Sequence, residues 1–350
     1  VFSIIEDNHI HHINNMMELG GAEIAGIKMH AAIDVIMRRN HIHHCTMGIW
    51  CDWEAQGTRL SQNLLHDNQR PAFAKQLKGG MMCQDIFVEV GHGPTLIDNN
   101  ILLSDVSLRF ATQGVAMVHN LICGALTCVG EGTGWRYTPY HMPHRTEVMG
   151  FMTILHGDDR FYNNIFVQKW PSEDFITMHD SDDGFDSENR RVGTWMFDEY
   201  PTYDEWISQF DFTKPADMKK LEPVHFDHLP VWSEGNVYLN GAKAWKHEKD
   251  GFVSSENAKV ELTEKDGKYI LDTNIYEILG DFSDRMINTE ILGKAFEPEE
   301  FFENPDGTPI RFDSDYFGGH RGAKLIPGPF AEKEEIGKNV NMSTCALNKL

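Results

Sequence analysis

The chain has 350 residues, a length that corresponds to two or three ordinary domains or to one elongated domain. Its hydrophobic fraction of 41% and its 21 Phe, 9 Tyr and 8 Trp suffice for an extensive core, which excludes disorder as a description of the whole. The formal net charge of −22 disfavours nucleic acid and anionic membranes as partners. No apolar run approaches the ~20 residues that span a bilayer. We therefore expect a soluble protein with no nucleic-acid or membrane partner.

The cysteines and the first residue indicate the cellular setting. The six cysteines form no C-x-x-C pair, so we expect reduced thiols rather than a disulfide scaffold or a zinc ribbon. Reduced thiols are typical of the cytoplasm, which is the expected location. The sequence begins at Val1 without Met or a charged leader, so we expect that the natural N-terminus is missing and that a signal peptide would not be visible.

A short unit recurs along the chain: an Asn is followed by a branched or aromatic residue at one or both of the next two positions. The successive spacings are 32, 23, 37, 20, 44 and 72 residues. They reduce to a base of about 22 if three coils carry insertions or a coil without the Asn intervenes. This period predicts a parallel β-helix, in which coils bury their inward residues and the turn Asn residues stack in a ladder. The repeat residues are Asn8, Asn40, Asn63, Asn100, Asn120, Asn164 and Asn236.

The predicted fold is all-β: a right-handed parallel β-helix with an additional C-terminal β-rich region. Proline followed by apolar residues at helical spacing predicts one short helix over Pro201–Phe210. An Asp-Gly pair between alternating apolar residues predicts a hairpin over Lys259–Tyr276. The predicted regions are 1–175 (coils that carry the site), 176–230 (acidic, aromatic insertion or connection), 231–335 (late coils and hairpins) and 336–350 (polar tail).

The ladder register places two carboxylates on neighbouring coils. Asp52 and Glu89 each lie eleven residues before a repeat Asn, in strand-like segments. Neighbouring strands lie ~4.8 Å apart, and retaining glycosidases hold their two carboxyl groups ~5–5.5 Å apart. Stacked acids repel each other, so such a pair is unfavourable unless a functional site requires it. Arg109 has the same offset one coil further on and could tune the pair or bind a hydroxyl. The alternative is that one or both acids are ordinary solvent-facing residues.

Four strings around these carboxylates resemble glycoside hydrolase family 120, the parallel β-helix β-xylosidases. The resemblance covers residues 1 to about 170, and a string near the C-terminus is also similar to that family. Family members are longer, so the chain resembles a C-terminal portion. The strings are GGAEIAGIKMHAAIDV (Gly20–Val35), GIWCDWEAQGTR (Gly48–Arg59), DIFVEVGHGP (Asp85–Pro94) and LIDNNILL (Leu96–Leu103).

The resemblance implies a retaining double displacement that releases terminal β-xylosyl units from xylo-oligosaccharides and needs no metal or cofactor. Asp52 of the D-W-x-x-Q-G-T-R motif matches the nucleophile, and Glu89 of F-V-E-V matches the general acid and then base. Glu23 of GGAEIAG matches a third carboxylate, which we expect to bind a hydroxyl or to keep Glu89 protonated. Further candidates for substrate binding are His30, Trp53, Gln56, Arg59, His92 and Arg109.

Two departures from the family pattern stand near the expected site. Cys51 precedes the nucleophile where an aliphatic residue is expected, and a long insertion follows Asn68. The insertion could reshape the entrance and change the preferred substrate length. The HIHH clusters at His9 and His41 recur at the repeat Asn, so we interpret them as parts of the repeat rather than as a zinc site.

Other functions remain open at this point. A polysaccharide lyase on the same scaffold would favour a basic cleft, often with calcium, and the acidic balance disfavours it. A glycosidase for another pentoside or a fucoside differs only in loops that read hydroxyl stereochemistry. A non-catalytic carbohydrate-binding solenoid would keep its binding after Asp52 is replaced. An oligosaccharide is the expected partner throughout, and a homo-oligomer is compatible with the sequence.

Overall fold

The computed structural model shows a mostly β protein with few helices. No helix within the described part of the chain is long and apolar enough to cross a membrane. The structure describes residues 2–14, 23–69, 83–128, 137–169, 192–215, 217, 219–220, 227–322, 325–331 and 340–341.

Short strands follow one another coil by coil, and successive coils stack. The first coil contains β1 (Ile4–Glu6) and β2 (His9–His11); the second β3 (Ile27–His30), β4 (Ile36–Arg38) and β5 (His41–His43); the third β6 (Ile49–Asp52), β7 (Thr58–Ser61) and β8 (Leu64–His66); the fourth β9 (Ile86–Glu89), β10 (Thr95–Asp98) and β11 (Ile101–Leu102). The fifth contains β12 (Val106–Ala111), β13 (Val115–Val118) and β14 (Leu121–Ile122); the sixth β15 (Ala125–Cys128), an inserted hairpin of β16 (Tyr137–His141) and β17 (Val148–Thr153), β18 (Asp159–Tyr162) and β19 (Ile165–Val167); and the last β20 (Val231–Glu234), β21 (Val237–Leu239) and β22 (Phe252–Ser254).

Three parallel sheets run along the stack of coils. The site sheet has the strand order β15-β12-β9-β6-β3, the second sheet has the order β1-β4-β7-β10-β13-β18-β20, and the third sheet has the order β2-β5-β8-β11-β14-β19-β21-β22. Neighbours pair in parallel throughout, because each strand meets the equivalent strand of the next coil. Stacked parallel sheets of this kind are consistent with the predicted β-helix solenoid.

The predicted Asn ladder is confirmed at the corner between the second and third sheets. The amide Nδ2 of each repeat Asn donates to Oδ1 of the repeat Asn in the next coil, at 2.9–3.1 Å, from Asn8 to Asn236. The residue before each of them has a positive φ, for example Asn99 at 52°, which turns the chain at the corner. At the last rung, Asn236 donates to the carboxylate of Glu248 at 3.0 Å. The ladder therefore fixes the register between coils.

The interior of the coils is apolar, and the C-terminal region packs on their outside. Inward residues of the strands form one continuous core that runs from Ile27 to Trp245. The predicted short helix is α1 (Tyr203–Ile207), which Thr202 and Glu205 cap reciprocally. The predicted hairpin is confirmed, with Lys265 paired to Lys268 across its turn. The remaining elements are a 3-10 helix (Trp195–Phe197), β23 (Val260–Lys265), β24 (Lys268–Thr273), α2 (Ile275–Leu279), α3 (Thr289–Leu292) and β25 (Val340–Asn341).

Candidate active site

Side chains alternate between the two faces of the site sheet. Residues with apolar side chains, such as Ile49, Cys51 and Val88, point into the coil core and are fully buried. The intervening residues point outward, as the two-residue period of a strand requires. The outward residues are Lys28 and His30 on β3, Trp50 and Asp52 on β6, Phe87 and Glu89 on β9, and Arg109 and Ala111 on β12.

The pairing register brings the two predicted carboxylates together. Cys51 pairs with Val88, so the next step along both parallel strands sets Asp52 beside Glu89. On the other side of β6, His30 pairs with Asp52. Adjacent strands lie ~4.8 Å apart, so the two acids occupy neighbouring positions on one outward face.

The predicted position of Arg109 is wrong by two residues. Arg109 pairs with Phe87, and the residue level with Glu89 is Ala111. The turn after β12 has three residues before β13, whereas the turn after β9 has five before β10. Counting eleven residues back from the repeat Asn therefore goes two residues too far on this coil. The guanidinium of Arg109 lies 5.1 Å from the ring centroid of Phe87.

Lys28 joins the groups around Asp52. Its Nζ lies 2.7 Å from Oδ2 of Asp52, and Nε2 of His30 lies 3.0 Å from the same oxygen. Lys28 also contacts the carboxylate of Glu23 and lies 4.1 Å from the ring centroid of Trp50. Burial opposes the charge of Lys28, but the hydrogen bonds to Asp52 and Glu23 outweigh it and raise the pKa of Lys28 above its ordinary value. A fixed ammonium therefore neutralises the expected nucleophile.

Trp50 connects this ammonium to the second carboxylate. Its indole Nε1–H donates to Oε2 of Glu89 at 3.0 Å, and its ring stacks on Phe87 with centroids 5.4 Å apart. Cys51 lies on the opposite side of the strand, where burial raises the pKa of its thiol to about 12. Its thiol is therefore neutral and belongs to the core rather than to the site.

Glu23, His30 and Trp53 lie at the opening of the site. The side chain of Glu23 is 74% exposed and that of His30 is 63% exposed. Trp53 follows Asp52 and is 40% exposed. Ligand atoms of Glu23, His30 and Asp52 lie within 4.8 Å of one another, a distance that a metal ion could bridge. The ammonium of Lys28 already contacts all three, so these residues have an internal cation.

The structure does not bring Gln56 to the site. Its buried amide donates to the backbone carbonyl of His141 at 2.9 Å and accepts from the N–H of the same residue at 2.9 Å. It also donates to Glu300 at 2.6 Å. On the same turn, Glu54 lies 2.5 Å from Nε2 of His141. Gln56 therefore anchors the β16–β17 hairpin against the turn that follows Asp52.

Arg59 and His92 also have other surroundings. Arg59 forms a bidentate pair with Asp98 on the second sheet, at 2.7 and 2.9 Å. His92 is buried beneath the hairpin, and Nε2 lies 3.1 Å from the carbonyl of Thr138. Burial lowers the pKa of His92 to about 4, so the ring is neutral. Neither side chain faces the outward surface that carries Asp52 and Glu89.

Sequence reasoning missed Lys28 and the linking role of Trp50. Lys28 lies two residues before His30 in the string IKMH, so strand alternation places both on one face. That signal was available in the sequence. The docking of the hairpin had no local signal, because it joins residues 85 positions apart. The insertion after Asn68 lies largely outside the described residues, which leave out 70–82.

Fold and site together define a mostly β protein of stacked parallel sheets with a carboxylate pair on one outward face. No protein-family model and no curated protein matches the chain. One solved structure, the complex structure of XylC with xylose, is similar, with a TM-score of 0.78 and 35% sequence identity. The similarity covers 97% of this chain and 47% of that chain, so the chain spans about half the length of that structure. This similarity supports a xylosidase-like family.

Proposed function

We propose that the protein is a retaining glycoside hydrolase that releases terminal β-xylosyl units from xylo-oligosaccharides by double displacement. The observation that carries the proposal is the placement of Asp52 beside Glu89 on one outward face, each held by its own donor. The similar structure of XylC with bound xylose supports xylose as the sugar. On this proposal the scaffold is a right-handed parallel β-helix, the hand that parallel crossovers almost always take.

Asp52 is the proposed nucleophile. Lys28 and His30 both contact Oδ2, which supports Oδ1 as the oxygen that attacks the anomeric carbon. The ammonium of Lys28 favours the ionised carboxylate and holds it in one orientation. Attack forms an ester between Asp52 and the sugar and breaks the bond to the leaving oxygen.

Glu89 is the proposed acid and then base. The indole N–H of Trp50 donates to Oε2 at 3.0 Å and orients the carboxyl group, which carries the transferable proton on this proposal. In the first step this proton passes to the leaving oxygen. Formation of the ester removes the charge of Asp52, which allows Glu89 to stay ionised and take a proton from water. The activated water then attacks the anomeric carbon, and the ester bond breaks with net retention.

Glu23 and Trp53 are the proposed substrate contacts at the opening. The exposed carboxylate of Glu23 can accept hydrogen bonds from sugar hydroxyls while it stays paired with Lys28. The exposed ring of Trp53, next to the nucleophile, can stack on a sugar face. His30 can donate to a hydroxyl or orient Asp52.

Proton NMR of the anomeric signals during action on xylobiose tests the proposal. Release of β-xylose ahead of mutarotation is the expected result. Release of α-xylose first would contradict the retaining pair, because inversion requires carboxyl groups further apart. An unsaturated product from a uronate-containing oligosaccharide, tested in parallel, would indicate a lyase. Binding of xylobiose without turnover would favour the non-catalytic solenoid.

A further inference from the structure

A second group of titratable side chains lies on the third sheet, outside the candidate active site. It consists of histidines on β2, β5 and β8, three successive coils of the solenoid. His9 stacks on His41 with centroids 4.6 Å apart, and His43 stacks on His66 at 4.8 Å. We call these four residues the imidazole array: His9, His41, His43 and His66.

The two stacks of the array meet through their Nε2 atoms. Nε2 of His9 lies 2.7 Å from Nε2 of His43, and Nε2 of His41 lies 2.8 Å from Nε2 of His66. Ring nitrogens of His9, His41 and His43 all lie within 4.8 Å of one another. Four imidazoles from three coils therefore direct nitrogen lone pairs or N–H groups toward one another.

A carboxylate partner orients one ring of the array. Nδ1 of His66 lies 2.7 Å from the carboxylate of Asp67, which accepts its N–H and leaves the Nε2 lone pair facing His41. Metal-bound histidines have the same kind of carboxylate partner.

Tyr269 of the β23–β24 hairpin covers the array. Its ring lies edge-on to His41 at a centroid distance of 4.3 Å, and its hydroxyl lies 3.4 Å from Nε2 of His43. This contact shields the central nitrogens, since His41, His43 and His66 are all buried. Three of the four rings are therefore buried beneath Tyr269, and only His9 lies at the surface.

We propose that the imidazole array binds a divalent transition metal of the zinc, nickel and copper class, which imidazole ligands favour. His9, His41 and His43 are the proposed ligands, and His66 completes the set. Zinc–nitrogen bonds of ~2.0–2.1 Å in a tetrahedral site require the paired nitrogens to separate by about half an ångström. A metal here joins three coils. The histidines are parts of the repeat, as the sequence indicates. The stacking of three coils brings them together as a metal site.

Titration of the chelator-treated protein with Zn²⁺ by calorimetry tests the proposal. One equivalent should bind, and Zn²⁺ should raise the thermal unfolding temperature in a concentration-dependent way. Co²⁺ in place of Zn²⁺ should give the visible absorption bands of a tetrahedral nitrogen site. We expect His41→Leu to weaken Zn²⁺ binding at least tenfold and to abolish the Co²⁺ bands. Leucine suits this position because Leu64 occupies it in the next coil.

His9→Ala provides a second test at the exposed end of the array, where a loss of fold is not expected. It should also weaken Zn²⁺ binding at least tenfold. His320→Ala removes an exposed histidine elsewhere and should bind Zn²⁺ like the parent. If the parent binds no stoichiometric Zn²⁺, or if His9→Ala retains parental affinity and Co²⁺ bands, the array is only a hydrogen-bonded stack. Circular dichroism of each variant separates loss of the site from loss of the fold.

Discussion

The site sheet and the Asn ladder use the same in-register stacking with opposite electrostatic consequences. In the ladder, each amide both donates and accepts, so a stack of identical neutral groups satisfies itself. On the site sheet, Asp52 and Glu89 are acceptors when ionised and cannot satisfy each other. They depend on donors from the same face, Lys28 and Trp50. Stacked amides therefore stabilise the stack of coils, whereas stacked carboxylates require compensation by other groups.

Removal of the two carboxylates should have the largest effect and should distinguish their roles. We expect Asp52→Gly and Glu89→Ala each to lower turnover of an unactivated xyloside by more than about a thousandfold. With an aryl xyloside, azide should restore turnover by the Asp52→Gly variant and yield the α-xylosyl azide, because azide replaces the missing nucleophile. With Glu89→Ala, azide should yield the β-xylosyl azide, because it attacks the ester on Asp52.

The exposed Asp211 provides the matched control. Asp211→Gly should keep parental turnover and produce no azide adduct. Identical azide products from both site variants would contradict the assignment of roles. Binding of xylobiose by Asp52→Gly, measured by calorimetry, should survive, because the nucleophile is not the main binding group.

A break in the ladder should produce the largest loss of stability. Oδ1 of Asn100 accepts both the backbone N–H and the amide of Asn63, each at 2.9 Å, in a fully buried setting. Asn100→Ala leaves both donors without an acceptor. We expect a decrease of about 3 kcal/mol in the free energy of unfolding, measured by urea denaturation.

Asn304→Ala provides the comparison at an exposed turn. Asn304 donates to the Thr308 carbonyl and hydroxyl at 3.2 and 3.1 Å, where water can replace it. We expect a loss below about 0.5 kcal/mol. Equal losses at Asn100 and Asn304 would show that the ladder does not stabilise the coils beyond an ordinary surface turn.

The sequence predicts the features that recur at a constant distance from the repeat Asn of each coil. The ladder and the Asp52–Glu89 pair follow from one repeated offset, since the turns after β6 and β9 have equal length. The prediction for Arg109 is wrong because the turn after β12 is two residues shorter than the turns after β6 and β9. Gln56 resembles a site residue in sequence, but its contacts are with His141 and Glu300, which are 85 and 244 positions away. No local pattern encodes contacts of that range.

Replacement of Lys28 tests the compensation on the site sheet. Lys28→Met keeps the aliphatic stem over Trp50 and removes the charge beside Asp52. We expect kcat to fall about 10- to 100-fold with little change in KM, since a hydrogen bond to a charged group contributes about 1.5–3 kcal/mol.

Two further variants separate charge from packing at Lys28. Lys28→Arg should recover part of the lost rate, and Lys246→Met, at an exposed position, should leave both kcat and KM unchanged. If Lys28→Met keeps parental kcat, the stacked carboxylates do not need a cation, and the contrast with the ladder loses its basis.

The smallest effect is expected where buried carboxyl groups are compensated by a proton instead of a lysine. Glu300 lies against Gln56, and burial raises its pKa to about 7 from an ordinary value of 4.5. Asp34, His144 and Glu303 are the charged groups around it. Among the described residues, Oε1 of Glu300 has no hydrogen-bond partner, which is consistent with the cost of ionisation.

The carboxyl group of Glu300 therefore binds a proton more tightly in the folded protein than in the unfolded chain. The contribution of protonated Glu300 to the stability of the fold is complete below about pH 4.5 and is lost as the pH rises through about 7. Glu300→Gln keeps an acceptor for Gln56 and stays neutral, so it should exceed the parent by about 1–2 kcal/mol in free energy of unfolding at pH 8. At pH 4 the difference should vanish. Glu299→Gln, at the exposed neighbouring position, should show no pH-dependent difference, and a parental pH profile for Glu300→Gln would mean that Glu300 is already ionised without cost.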